Sequence, residues 1–284
     1  MRALIVNADD LGIHEAINEA VKRCYTRGAI TGVSLMACGR CFREAVLMLR
    51  SLGVSEVGVH LTLTGRFRPC VEDISRIKNL LPDKEVFPGD YSHFFRLYSA
   101  KNITPEEIYL ELSAQIKRVK DEGFEITHLD GHEHVHMFPG VMETTVTLAE
   151  DFGIPFIRIP LEPVSVIRKR FLIKDLFRYT GLRIYAGRAK KILSGTRFKT
   201  SNAFLGHFHS GRVDDDVLVF MMEKLGEGVT ELAAHPGVLS DELLKEFPWY
   251  RNAQKEMDAL ISGKWRKLVG SGKIRLITHK GALA

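Results

Sequence analysis

Four of the chain's eleven histidines and two carboxylates fall within ten residues, Thr127-His128-Leu129-Asp130-Gly131-His132-Glu133-His134-Val135-His136. Imidazole and carboxylate are the side chains that divalent transition metals bind. A solvated loop or an adventitious metal trap would have the same composition. The run is internal, and Leu129 and Val135 interrupt it, so it does not read as an expression tag. Gly123-Phe124-Glu125-Ile126 reads as a turn entering a strand, which puts the cluster where a strand ends and a loop begins. On a strand, alternation sends His128 and Asp130 to one face, with His132 and His134 continuing that row if the strand extends. Spacing alone does not choose among His128, His132 and His134 as a ligand.

Other ligand-type residues end other strands. Ala3-Leu4-Ile5-Val6-Asn7 is an apolar run of the kind covered on both faces, and it stops at Asp9-Asp10-Leu11-Gly12. Adjacent carboxylates repel unless a cation or a shared proton offsets them; a solvated acidic turn is the plain alternative. His60 lies near the carboxyl end of the run Val57 to Thr64, Arg158 near the end of Pro155 to Pro160, and His235 directly after Val229 to Ala234. A lone strand histidine is more often structural, but five such placements together favour one site. A site of two histidines and a carboxylate with open positions polarises a carbonyl and lowers the pKa of bound water. Of two adjacent aspartates, one can bind the metal while the other accepts the water's proton. A histidine on the far side can protonate a leaving amine. The chemistry is hydrolysis at a carbonyl, with the metal stabilising the oxyanion.

The elements that must position these residues alternate. Apolar strand-like runs near 3–7, 32–37, 57–64, 126–130, 155–160, 201–205, 229–234 and 273–278 are separated by helical periodicity near 14–27, 42–52, 104–122, 139–152, 214–225 and 248–261. Thr104-Pro105-Glu106-Glu107 is a clear helix start. Such alternation predicts an α/β protein with a parallel sheet, most simply a single-domain, TIM-like (β/α) barrel of seven or eight strands, distorted if need be. A doubly wound open sheet is the alternative, but no glycine-rich nucleotide fingerprint follows the first strand. In a barrel, the carboxyl ends of all strands share one mouth. Residues 65–103 are too long for an ordinary connection and hold six aromatic residues, Phe67 to Tyr98, so they are a candidate lid or substrate wall.

At 284 residues, 45% hydrophobic and 26% charged, the chain can bury a large core as one domain, residues 1–284, with an insertion at about 65–103 and a basic segment at about 161–198. No apolar run reaches bilayer length. The start, running from Met1 into Asp9-Asp10, is too short and acidic for a secretory signal, so a cytoplasmic location is expected. Of the four cysteines, Cys38 and Cys41 have the spacing of a redox pair, but no second pair accompanies them, and reduced, incidental thiols are expected. Residues 168–199 hold eleven Lys or Arg and one acid, so the net charge of +5 reflects a local patch. No nucleic-acid-binding signature accompanies it, and nucleic acid is not expected as a partner. The patch could dock on an anionic membrane, which vesicle binding that falls with salt would reveal. The solvated outer face of a helix is the simpler expectation.

Asn7-Ala8-Asp9-Asp10-x-Gly12, Gly58-x-His60-Leu61-x-Leu63-Thr64, His128-Leu129-Asp130-x-His132-x-His134-x-His136 and Ala234-His235-Pro236 together resemble the YdjC-like carbohydrate deacetylases in order and spacing over nearly the whole chain. That family includes the chitooligosaccharide deacetylase and the hopanoid-biosynthesis-associated deacetylase. Pro155 to Pro163 and Phe208-His209-Ser210-Gly211 look closest to the hopanoid-associated branch. The resemblance implies a barrel-like fold and removal of an acetyl group from an N-acetylated sugar or glycolipid. It implies Asp10, His60 and His132 as metal ligands, Asp9 as base and His235 as acid. Asp130, His128, His134 and Arg158 would then orient a ligand or the substrate. The family is usually described with Mg2+, whereas the ligand set suits Zn2+. A homodimer is a further expectation. A metal-dependent phosphoesterase and a non-catalytic sugar- or lipid-binding protein are the competing readings. Phosphate release would mark the first, and binding without turnover the second.

Overall fold

The apolar run that starts the chain becomes the axis of a parallel sheet. In the computed structural model, which describes residues 2–100, 102–167 and 173–284, the strands are β1 (Arg2–Leu11), β2 (Gly32–Leu35), β3 (Glu56–Leu61), β4 (Glu125–Gly131), β5 (Phe156–Ile157), β6 (Ala203–Leu205), β7 (Gly228–Ala234) and β8 (Arg275–Leu276). Their order is β5-β4-β3-β2-β1-β7-β6, with β8 beside the first half of β1. The two edges meet: Phe156 bridges Lys199 in parallel, the Ile157 N–H donates to the Lys199 carbonyl at 3.0 Å, and the Phe204 N–H donates to the Leu161 carbonyl at 3.2 Å. The sheet therefore curls into the expected distorted (β/α) barrel rather than an open doubly wound sheet.

Period-two alternation explains what lies inside. On β1, Leu4, Val6 and Ala8 pack into the main core, while Ile5 joins Phe156 and Ile277 in a small separate cluster. Asn7 and Asp9 continue the Ile5 face. The register places Gly58 beside His128 and His60 beside Asp130. Gly58 is required there, because a Cβ at this position would lie 2.1 Å from the His128 ring. The barrel interior thus changes along its axis from an apolar plug to a layer of polar side chains.

The helices are α1 (Glu15–Thr26), α2 (Phe42–Ser51), α3 (Tyr91–Ser99), α4 (Pro105–Lys120), α5 (Val141–Asp151), α6 (Ile173–Leu193), α7 (Asp215–Glu223), α8 (Asp241–Glu246), α9 (Ala253–Leu260) and α10 (Gly263–Val269). The expected start at Thr104 forms a capping box: the Glu107 N–H donates to Thr104 Oγ1 at 3.2 Å, and the Thr104 N–H to the Glu107 carboxylate at 2.9 Å. The helix expected over 248–261 breaks instead into a 3-10 turn, Pro248–Asn252, and α9. Residues 65–103 fold as a 3-10 turn, Ile74–Leu80, followed by α3. Cys38 does not meet Cys41; its Sγ lies 3.4 Å from that of Cys70, and all four cysteines are free. Of the basic segment and its expected membrane contact, residues 168–172 lie outside the described residues. Among the described residues, no helix is long and apolar enough to cross a membrane.

Candidate active site

Adjacent residues on a strand point to opposite faces, so Asp9 and Asp10 should not share a site. The sheet register of β1 shifts between Ala8 and Leu11, and Asp10 has φ 60°, a left-handed conformation rarely held by a non-glycine residue. This twist brings both carboxylates to one cavity. Asp10 Oδ1 lies 3.2 Å from His60 Nε2 and 2.8 Å from His132 Nδ1. Its other oxygen, Oδ2, accepts a hydrogen bond from the Tyr250 hydroxyl at 2.5 Å. His60 Nδ1 lies 2.9 Å from Asp130 Oδ1, which leaves Nε2 facing Asp10. A carboxylate behind a histidine is the usual support for a metal-binding imidazole.

The charge balance of this cluster fits a cation. Asp10, His60 and His132 offer ligand atoms that all lie within 4.8 Å of one another. Burial opposes a charge on His60, but Asp130 and Asp10 outweigh it and lift its pKa to about 10. Burial likewise opposes ionisation of Asp10, and His132 and His60 overcome it, holding its carboxyl well below the usual range. A proton on His60 thus offsets the carboxylates beside it, and a divalent ion would displace it.

Arg158 follows β5 and is fully buried. Its Nη1 and Nη2 donate to Asp9 Oδ2 and Oδ1 at 2.6 and 2.9 Å, its Nη2 also reaches Asp130 Oδ2 at 2.7 Å, and its Nε donates to Glu231 Oε1 at 2.7 Å. Asn7 Nδ2 donates to Asp9 Oδ1 at 2.8 Å and to Ser34 Oγ at 2.7 Å, and Ser34 donates to Asp130 Oδ2 at 2.6 Å. One guanidinium therefore locks three buried carboxylates and fixes how Asp9 faces the cavity. His235 comes in from the end of β7, with Nε2 3.9 Å from Asp9 Oδ2 and its ring edge-on to Trp249 at 5.2 Å.

The histidine row expected from strand alternation does not continue. β4 ends at Gly131, and His132–Met137 is a 3-10 turn in which Glu133 and His134 have φ 50° and 56°. His132 turns to Asp10. His134 swings away toward His207 and Phe204, with ring centroids at 5.2 and 5.6 Å, and still lines the cavity. His128 is buried and stacked on His279 at 3.4 Å, and its Nε2 lies 3.0 Å from the Ser34 hydroxyl that donates to Asp130. His136 is buried with Nε2 3.1 Å from the Arg158 carbonyl. Three contributors had no distinct signal in sequence reasoning: Tyr250, Trp249 and Ser34. Glu231 had one, as the single charged residue inside β7.

The cavity has a volume of about 1700 Å3. Phe67 stands edge-on to His132 at 6.0 Å and stacks on Phe247 at 6.1 Å, forming an aromatic wall beside the ligand cluster. The 65–103 insertion serves two purposes: Phe87 and Phe94 are fully buried, while Phe67, Tyr91 and Phe95 face the cavity.

A family model described as YdjC-like protein matches residues 3–270. The carbohydrate deacetylase of Thermoanaerobacter pseudethanolicus is 25% identical over 280 residues, 98% of each chain. That of Brevibacillus brevis is 27% identical over 277 residues, 97% of each chain. The chitooligosaccharide deacetylase of Salmonella typhimurium is 24% identical over 272 residues, 94% of each chain. A crystal structure from Enterococcus faecalis, of a protein named for a proposed cellobiose-phosphate cleavage, superposes with a TM-score of 0.78 at 22% identity, covering 98% of each chain, and shows the same fold. The family match takes in every strand from β1 to β7 and each of the residues gathered around Asp10, and on it the chain belongs to the YdjC-like family.

Proposed function

We propose that this chain is a divalent-metal-dependent hydrolase that converts an N-acetylated amino sugar to acetate and the free amine. The observation that carries this reading is the convergence of Asp10, His60 and His132 beside Asp9 and His235 in one aromatic-walled cavity. Relatives named as carbohydrate deacetylases along their full length support the substrate class. Asp10, His60 and His132 would hold the ion. One carboxylate and two imidazoles suit zinc or a similar ion better than magnesium, which prefers oxygen ligands. When bound, such an ion polarises a carbonyl and makes a water more acidic.

The chain's own residues account for the proton movements. Asp9, oriented by Arg158 and Asn7, accepts the proton of the attacking water. His235, across a 3.9 Å gap from Asp9, gives a proton to the nitrogen as the C–N bond breaks. Phe67, Phe247 and Trp249 supply flat apolar faces against which a sugar ring can pack. A two-metal phosphoesterase fits less well. The second candidate cluster, Asp9, His60 and Asp130, already has the Arg158 guanidinium between its carboxylates.

Acetate release from N-acetylglucosamine and its oligomers, with zinc or magnesium supplied, is the test. Release should be metal-dependent and fall more than about a hundredfold in His132→Ala. No acetate from any N-acetylated sugar with either metal would overturn the reading.

A further inference from the structure

Cys38 and Cys70 lie 32 positions apart in the chain, yet their sulfurs are 3.4 Å apart. Both side chains are free and half-buried. A disulfide bond is about 2.05 Å long, so closing the pair takes a shift of about 1.4 Å. Packing on both sides fixes this approach. Glu111 on α4 is fully buried, and it accepts the Cys70 N–H at 2.9 Å and the Val71 N–H at 3.1 Å. Its Oε1 also accepts from Gln115 Nε2 at 2.8 Å, and the Cys38 thiol donates to it at 3.7 Å. One carboxylate thus holds the main chain at Cys70 and the thiol of Cys38. On the other side, Gly39 packs so tightly that a Cβ there would lie 2.2 Å from the Gly12 carbonyl oxygen, which leaves the turn beside Cys38 no room to shift that way. Cys41, whose spacing from Cys38 suggests a pair, stands instead at the start of α2.

A metal ion suits these groups poorly. Both Glu111 oxygens already accept N–H bonds, and the Arg118 guanidinium lies 3.9 Å from Cys70 Sγ. Two thiols held almost in contact favour bonding to each other. We infer that Cys38 and Cys70 form an oxidisable dithiol that hydrogen peroxide closes to a disulfide. Burial, with Cys70 and Glu111 beside it, holds the Cys38 thiol well above its usual range, so Cys38 stays protonated and Cys70 reacts first. The Cys70 thiolate attacks one peroxide oxygen. An S–O bond forms, the O–O bond breaks, and hydroxide leaves and takes up the proton that Cys70 released, as water. Cys38 sulfur then attacks Cys70 sulfur, passing its proton to Glu111. The S–S bond forms, the S–O bond breaks, and the departing hydroxide takes that proton as a second water. Two thiols and one peroxide give one disulfide and two waters, with the sulfurs oxidised by two electrons and the peroxide reduced by two. The new bond fastens the turn after β2 to the segment carrying Phe67, whose ring stands edge-on to His132. It would clamp one wall of the cavity. This chemistry is independent of the reaction proposed for the cavity.

The test treats the full chain, freed of metal by chelator, with hydrogen peroxide. Intact mass should fall by two hydrogens, and peptide mapping should join Cys38 to Cys70. Tm should rise by at least about 5 °C over the reduced chain, and dithiothreitol should reverse the rise. Cys41→Ser should behave as the parent does. In Cys38→Ser, the sulfenic-acid probe dimedone should label Cys70, whereas in Cys70→Ser it should leave Cys38 unlabelled. Should either of these two variants fail to fold, the mapping and melting of the parent decide alone. A Cys38–Cys41 link, oxidation of single sulfurs without a link, or a Cys38–Cys70 link that leaves Tm unchanged would overturn the inference.

Discussion

Asp10 has no oxygen to spare. Oδ1 faces the two imidazoles, and Oδ2 accepts from the Tyr250 hydroxyl. Burial and the neighbouring Asp10 hold Tyr250 well above the usual phenol range, so it stays a neutral donor. The hydroxyl thus sets the rotation of the carboxylate and would decide which oxygen meets a bound ion. Tyr250→Phe keeps the packing and removes only that bond. Metal affinity, read by calorimetry on metal-free protein, should weaken about 10–100-fold. Unchanged affinity would mean that the hydroxyl merely anchors its own turn. Asp9 shows why neighbouring aspartates are tolerated here. Its charge is spent on a bidentate guanidinium that is itself fully buried, so the two carboxylates answer to different cations.

The loop after β6 depends on a buried acid. Glu162 accepts the N–H groups of Gly206 and Phe208 at 2.9 and 2.7 Å, and this fixes where His207 stands in the cavity wall. Burial raises the pKa of Glu162, the backbone N–H bonds offset this only in part, and it comes to about 7. With a folded pKa above the unfolded value, the native state binds more protons, so Glu162 costs stability as pH rises from about 4.5 to about 7. The cost across that window is about 3 kcal/mol. Melting curves should show this slope in the parent protein and lose it in Glu162→Gln, whatever the absolute stability of the variant. The same slope in both proteins would place the titration elsewhere. At the neighbouring turn, His132–Met137, two left-handed residues end the strand alternation. This is why His132 and His134, two apart in sequence, do not face the same partner.

The ligand cluster spans the barrel, because Asp10 closes β1, His60 lies near the end of β3 and His132 follows β4. An ion held there ties three strands together and binds only the folded chain. At a free concentration a hundred times Kd it should add about 2.7 kcal/mol, a rise in Tm of about 5 °C or more. Melting with chelator and with added zinc measures this, and His132→Ala should abolish the shift. Identical melting with and without metal would remove the site. Much of the molecule was legible beforehand because its signals are local. Apolar runs between stretches of helical periodicity marked every strand, Thr104 and Glu107 marked a helix start, and strand ends marked Asp9, Asp10, His60 and His235. Spacing did not separate His132 from His128 and His134, because alternation assumes a strand that the left-handed Glu133 and His134 end. Nor did it foresee Tyr250, 240 residues from Asp10, or the three carboxylates that Arg158 joins. By itself the sequence determined which side chains stand at the mouth of the barrel, since apolar runs and the places where they end are properties of neighbouring residues. Only the tertiary structure decided which of them touch, since closing the sheet sets the distances between strand ends far apart in the chain.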